Sequence, residues 1–368
     1  MCYALTFLSP KFYGMTENYV GVIVFVLLVI LFLTNVNIVK IFTGKEIDGI
    51  ILAAVAVITG INLLIVNSGL GAFFVVVNFA MIFYLSDRIV LKKWQLWLFA
   101  GLYVGLLLVW FFWAYPWMFA DYTTYALNTN TAATFTIFTI LCAFVFAELL
   151  FKKHEMAGLL MVVMLLKAFQ IGLYHRARGA FIMLIAFIVF RFIVPKKWWS
   201  CSAFYKAVCY FVTIGSLAFV AFYVVLGTTG TNFKIPFFYK NLFSGREKIW
   251  LEFWNLFVKK PLTGIGTNVT IESFFEFNVH NAMYDILVIH GVVVFVGVLV
   301  LMYRKFFAIG KRVLGSTVTM TAIFAIFAVC LESFFDVDLI WTDYSINVLF
   351  LMLVASRNEQ SKESGENG

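Results

Sequence analysis

Apolar residues in this chain come in unbroken blocks of roughly twenty, separated by short polar links. Coiled as an α-helix at about 1.5 Å per residue, such a block reaches across the hydrocarbon core of a bilayer. A helix satisfies its own backbone polar groups, which lipid cannot do. A transmembrane β-barrel would need alternation with period two, and the blocks do not alternate. They predict about 11 spans, at 19–39, 47–66, 69–86, 95–115, 132–151, 156–174, 179–195, 204–227, 281–303, 314–335 and 340–356. The expected fold is therefore all-α, a polytopic transmembrane helical bundle forming a single domain over residues 1–357. One long external loop, about 228–280, separates spans eight and nine. Residues 358–368 read as a disordered cytoplasmic tail. No internal repeat and no cleavable signal peptide are evident.

Composition strengthens this picture. Of 368 residues, 63% are hydrophobic, 12% are charged and 44 are Phe, too much apolar surface for a soluble core to hide. The net charge of +8 points to cytoplasmic links rather than to nucleic acid. Lys40 and Lys45, Arg88 with Lys92 and Lys93, Lys152 with Lys153, Lys196 with Lys197, and Arg304 with Lys305 all follow odd-numbered spans. The links near 67–68, 116–131 and 336–339 have no Lys or Arg. The N-terminus is therefore expected outside and the C-terminus in the cytoplasm. The five cysteines form no CxxC pair and read as small packing residues.

One short outer link breaks the charge rule. "YHRARGAF", 174–181, holds His175, Arg176 and Arg178. Cations placed there suggest an anionic partner outside, or an interfacial pair snorkelling to lipid phosphate. Arg178 opens a helix, where its charge opposes the dipole unless an anion lies between. Lys167, Gln170, Tyr174 and Arg178, spaced i, i+3, i+7 and i+11, would form one inward polar stripe if the sixth helix runs that far. Lys167 is then a functional candidate, or a cation paired to a neighbour's carbonyl.

In the long loop, "SGREKIWLEFWNLFVKKP", 244–261, opens with a capping box, Ser244 to Glu247, and carries Trp250, Phe253, Trp254 and Phe257 on one face. It predicts an amphipathic helix lying on the outer surface or packed across the bundle. Arg246 in its first turn is a second candidate anion site. "PLTGIG", 261–266, is a Gly-rich turn that could merely allow a tight bend. His280 and Asn281 stand at the mouth of span nine, with Tyr284 and Asp285 one turn below. His280 is a candidate general base, or an interfacial hydrogen-bonding residue. His290 reads as a packing residue. Asp336, Asp338 and Asp343 gather near the last outer link and could orient a sugar or bind a cation. No metal-binding spacing occurs.

Taken in order, "ARG" at 177–179, "GREKIW" at 245–250, "PLTGIG" at 261–266 and "HN" at 280–281 followed by "LVIHG" resemble the bacterial O-antigen polymerase and ligase family. Ala177 departs from a frequent Ser in that family. The likeness covers roughly 174–300. It implies an inverting glycosyltransferase of the bacterial cytoplasmic (inner) membrane, working on the outer face and needing no nucleotide sugar and no metal or other cofactor. It would move a glycan from an undecaprenyl diphosphate carrier to a hydroxyl acceptor. Its implied partners are that lipid-linked glycan, membrane lipids and a chain-length regulator protein, with no nucleic acid. The implied catalytic residues are Arg178 and Arg246, which hold the diphosphate, and His280, which serves the acceptor. Arg176, His175, Lys167, Tyr174, Asn281 and Tyr284 make up the expected substrate-binding set. A polymerase is preferred to a ligase because polymerases are commoner, not because of any residue. A transporter of a lipid-linked anion is the competing class.

Overall fold

The structure, a computed structural model, describes residues 19–109, 129–150, 155–174, 176–230, 234–235, 240–241, 243, 245–272 and 278–357. The regular secondary structure of the described residues is helical, apart from one antiparallel pair in which Lys234 faces Asn241 and Ile235 faces Lys240. In chain order the main helices are α1 (Val20–Asn35), α2 (Ile47–Val66), α3 (Leu70–Leu85), α4 (Lys93–Val109), α5 (Thr129–Leu150), α6 (Glu155–Tyr174) and α7 (Arg178–Ile188). Then follow α8 (Ser202–Thr213), α9 (Gly215–Thr228), α10 (Arg246–Phe257), α11 (Ala282–His290), α12 (Val292–Gly310), α13 (Thr317–Glu332) and α14 (Ser345–Ser356).

Two helices, Ile47–Ile65 and Val292–Gly310, are long and apolar enough to cross a membrane. The pair α8 and α9, bent by 49°, makes a third if it is one span. The other apolar helices are shorter, and together they mark a membrane protein. The long-loop segment folds as helix α10, packed on α9 and α11. Ile249, Trp250, Phe253 and Phe257 are buried there, while Trp254 of the expected stripe is 46% exposed.

The core is built around α13. A helix apolar on all sides is stable only when surrounded, and every residue of α13 but Thr317 and Leu331 is buried. It packs on α5, α7, α8 and α14. Its sixteen residues separate the two ends of the bundle by roughly 24 Å. Basic links collect at the Thr317 end, where Lys206, Lys311, Arg312 and Arg357 line one cavity with Thr319. The Glu332 end carries the second cavity described below.

The expected ninth span, 281–303, is interrupted. Gly291 (φ +85°) separates α11 from α12, so the long apolar helix begins at Val292 and runs to Gly310. Hydropathy averages over composition and does not register this change of direction. Such a break frees backbone groups that must find partners inside the protein. The 261–266 turn supplies them. Ile265 N–H donates to Val288 O (2.9 Å), Gly266 N–H to Ile289 O (3.1 Å), and Val292 N–H to Pro261 O (2.9 Å). Asn62 Nδ2 donates to His290 O (2.9 Å).

At the basic end, Lys305 is 3% exposed and donates to Asp48 (3.0 Å) and Asp87 (2.6 Å). Arg304 also pairs with Asp48, and Arg88 pairs with Asp87 (2.5 Å) and Glu46 (2.5 Å). Lys305→Met should lower stability by about 3 kcal/mol, since breaking a buried pair strands charge. The loss stays modest because Arg304 and Arg88 still face the two carboxylates. Thermal unfolding in detergent measures it.

Candidate functional site

The turn after α6 is sharp. Arg176 adopts φ +52° and its N–H donates to Leu173 O (3.1 Å), so the chain re-enters helix only at Arg178. Arg178 thus sits in the first turn of α7, at the lip of the bundle. Next to it, a Cβ on Gly179 would lie 2.8 Å from Glu332 Oε1. Glycine there lets the end of α13 close onto the start of α7.

Arg246 opens α10 after Gly245, whose N–H donates to Glu247 Oε2 (3.1 Å). Ser244, the other half of the expected capping box, lies outside the described residues. His280 is held in the left-handed region (φ +54°), a costly conformation for a residue other than Gly. Its N–H donates to Asn278 Oδ1 (2.8 Å).

These three side chains line one cavity of about 280 Å³, together with Glu332, Asp336, Asn130 and Thr134. Asp336 ties two of them. Its Oδ1 lies 3.6 Å from His280 Nδ1 and its Oδ2 lies 3.9 Å from Arg246 Nη2. Both are ion-pair rather than close hydrogen-bond separations. Burial would raise the Asp336 pKa, but His280 and then Arg246 outweigh it and hold the carboxyl below its usual value. Asp338 goes the other way: burial and the Asp336 charge push it well above the carboxylate range. The Arg178 pKa is lowered by burial and then by the nearby Arg246 charge. Two guanidinium groups that repel each other across a cavity define a place where an anion is stabilised.

The depressed Asp336 pKa has a pH consequence. Its stabilising contribution is complete above the ordinary unfolded value near ~3.9 and disappears as pH falls through the lower folded value. The unfolding midpoint of wild type should therefore fall in that acid window, and Asp336→Asn should flatten the fall. A pH series of thermal melts tests this.

The other expected site residues lie elsewhere. Asn281 is fully buried and locks the local backbone. Its Oδ1 accepts from Tyr284 N–H (2.9 Å) and Ser216 Oγ (2.8 Å), and its Nδ2 donates to Phe334 O (3.0 Å). Tyr284 Oη donates to Trp250 O (2.8 Å), and Trp250 Nε1 donates to Val279 O (2.6 Å), which pins α10 against α11. Both residues position the site without lining the cavity. The inward stripe from Lys167 to Arg178 does not form, because α6 stops at Tyr174. Lys167 donates to Gln170 Oε1 (2.9 Å), Tyr174 is 65% exposed, and Arg176 is exposed. None of the three lines the cavity. His175 lies outside the described residues. Glu332 was not anticipated, although a lone carboxylate in an apolar run is a signal by itself.

Among the described residues, no group of three or more His, Cys, Asp or Glu is arranged to hold a metal ion. Cys142, Cys209 and Cys330 are buried thiols and Cys201 is exposed. No family model matches this sequence, and no curated protein does so either.

Proposed function

We propose that this chain is a membrane glycosyltransferase resembling the O-antigen polymerases, joining lipid-diphosphate-linked repeat units on the outer face of the cytoplasmic membrane. The observation that carries the reading is the meeting of Arg178, Arg246 and His280 on one cavity, with Asp336 beside the imidazole. In this reading the chain crosses the membrane about eleven times, with the loop 228–280 outside and the C-terminus in the cytoplasm. The two guanidinium groups hold the diphosphate and stabilise the charge that grows on it as the glycosidic C–O bond breaks. The acceptor hydroxyl attacks the anomeric carbon from the opposite face, giving inversion. His280 accepts the hydroxyl proton, and Asp336 orients the ring and steadies the imidazolium. A ligase would use the same chemistry with a different final acceptor. In a deletion strain, loss of a polymerase leaves single capped repeats, whereas loss of a ligase strands long chains on the carrier.

A transporter of lipid-linked anions draws some support from the 49° bend at Ile214 and the helix break at Gly291, but it needs no base. His280→Ala separates the two. In proteoliposomes supplied with a lipid-linked repeat unit, the variant should bind donor normally and form polymer at least about 10²-fold more slowly. Polymer formation at the wild-type rate would overturn the assignment of His280.

A further inference from the structure

Beyond the wall of the arginine-lined cavity lies another, of about 400 Å³. The two share two stretches of chain. His280 and Asp336 face the first cavity, while Asn278 and Val337 face the second. Asp285 and His290, both on α11, also line the second. His290 is 4% exposed, and its backbone is fixed by Asn62. The Asp285 side chain is partly exposed, and with the His290 ring it opens onto the cavity rather than onto a hydrogen-bond or ion-pair partner among the described residues. Polar groups that face a largely apolar cavity favour a ligand or water that can hydrogen-bond to them.

The lining indicates the ligand. No Lys or Arg lines this cavity, in contrast with the first, so it does not suit a phosphate. A hydrocarbon tail would leave the carboxylate and imidazole unsatisfied. A neutral sugar fits both. Its vicinal hydroxyls can donate to Asp285 and exchange hydrogen bonds with His290 and Asn278, while its C–H face lies on the Trp341 indole and the Val337 and Ile340 side chains. The volume falls in the range of small-ligand sites.

We infer that this cavity is the acceptor-glycan subsite, where Asp285, His290 and Trp341 hold the sugar whose hydroxyl reaches His280 across the shared wall. This inference rests on the glycosyltransferase reading above, and two experimental arms separate the fates of the two ideas.

In the first arm, purified full-length protein in nanodiscs is titrated with a soluble oligosaccharide of the host strain's repeat unit, and the Trp341 fluorescence change is taken as wild type minus Trp341→Phe. Saturable binding by wild type and its loss in Asp285→Asn are expected. In the second arm, transfer is measured with the lipid-linked repeat as donor and the soluble repeat as acceptor. Asp285→Asn and Trp341→Ala should each raise acceptor KM by about tenfold or more, with donor binding unchanged. Trp341→Phe should recover most of the acceptor affinity. Transfer with wild-type acceptor KM in both variants overturns the subsite. Oligosaccharide binding that Asp285→Asn abolishes, without any transfer by wild type, overturns the polymerase reading and keeps the subsite. Failure to bind the oligosaccharide in the first arm overturns the subsite, whatever the second arm gives.

Discussion

Arg178→Gln is expected to slow glycan transfer by about 10²-fold or more while leaving the unliganded protein as stable as wild type, or slightly more stable. Under the proposed glycosyltransferase reading, the rate loss follows from removing a preorganised cation from a site where leaving-group charge would develop. The stability expectation follows from the direction of the Arg178 pKa. Burial and the Arg246 charge both disfavour its ionised form in the folded protein. Neutralising the side chain therefore removes a cost. A structural arginine would behave in the opposite way, with stability and activity lost together. Arg246→Gln should differ, because Arg246 faces Asp336 at 3.9 Å and its loss leaves His280 as that carboxylate's remaining ion-pair partner among the described residues. That variant should lose activity and also some stability. Lys at position 178 should recover only part of the rate, because it replaces a planar, bidentate donor with a point charge. Donor consumption in proteoliposomes, read beside melting midpoints, distinguishes these outcomes. A sharp fall in the Arg178→Gln melting midpoint would reassign Arg178 to holding the fold.

How much of this was legible in the sequence depended on whether a signal was local. Arg178, Arg246 and His280 each stand at a helix beginning marked by the sequence, and all three line one cavity. Asn281 and Tyr284 share the same motif but turn inward, because the residue after His280 must cap α11 and the one a turn below must reach Trp250. Helical spacing carried a polar stripe from Lys167 to Arg178, yet the left-handed turn at Arg176 ends that helix. No periodicity argument sees a single φ angle. Asp336 was visible as one of three clustered acids, but its role came only from the packing of α10 and α11 against the last link. The break at Gly291 was invisible to hydropathy, since both sides of it are equally apolar.

That break makes Gly264, like Gly291, one of the most demanding backbone positions among the described residues. Gly264→Ala is expected to prevent accumulation of folded protein. Gly264 has φ +74°, and a Cβ there would lie 2.2 Å from Ile289 O. The atom it meets is backbone, so no rotamer change relieves the contact. Gly291 faces the same junction, with a Cβ 2.1 Å from Leu262 O, so neither strand of chain can retreat toward the other. Moving the turn outward would strip Val288 O and Ile289 O of their donors at a break inside the bundle. Each stranded carbonyl costs about 1–3 kcal/mol, and the left-handed conformation adds about 1–3 kcal/mol for a residue with a side chain. Against a total stability of roughly 5–15 kcal/mol, the sum consumes much or all of the margin. Gly101→Ala is the control, because a Cβ there meets nothing within 4 Å. It should melt at or slightly above the wild-type temperature, as Ala favours helix over Gly. Size-exclusion yield and melting midpoint report both variants. Gly264→Ala melting with wild type would mean that the 261–266 turn does not hold the α11–α12 junction. The two cavities on either side of His280 would then lose the support on which their geometry depends.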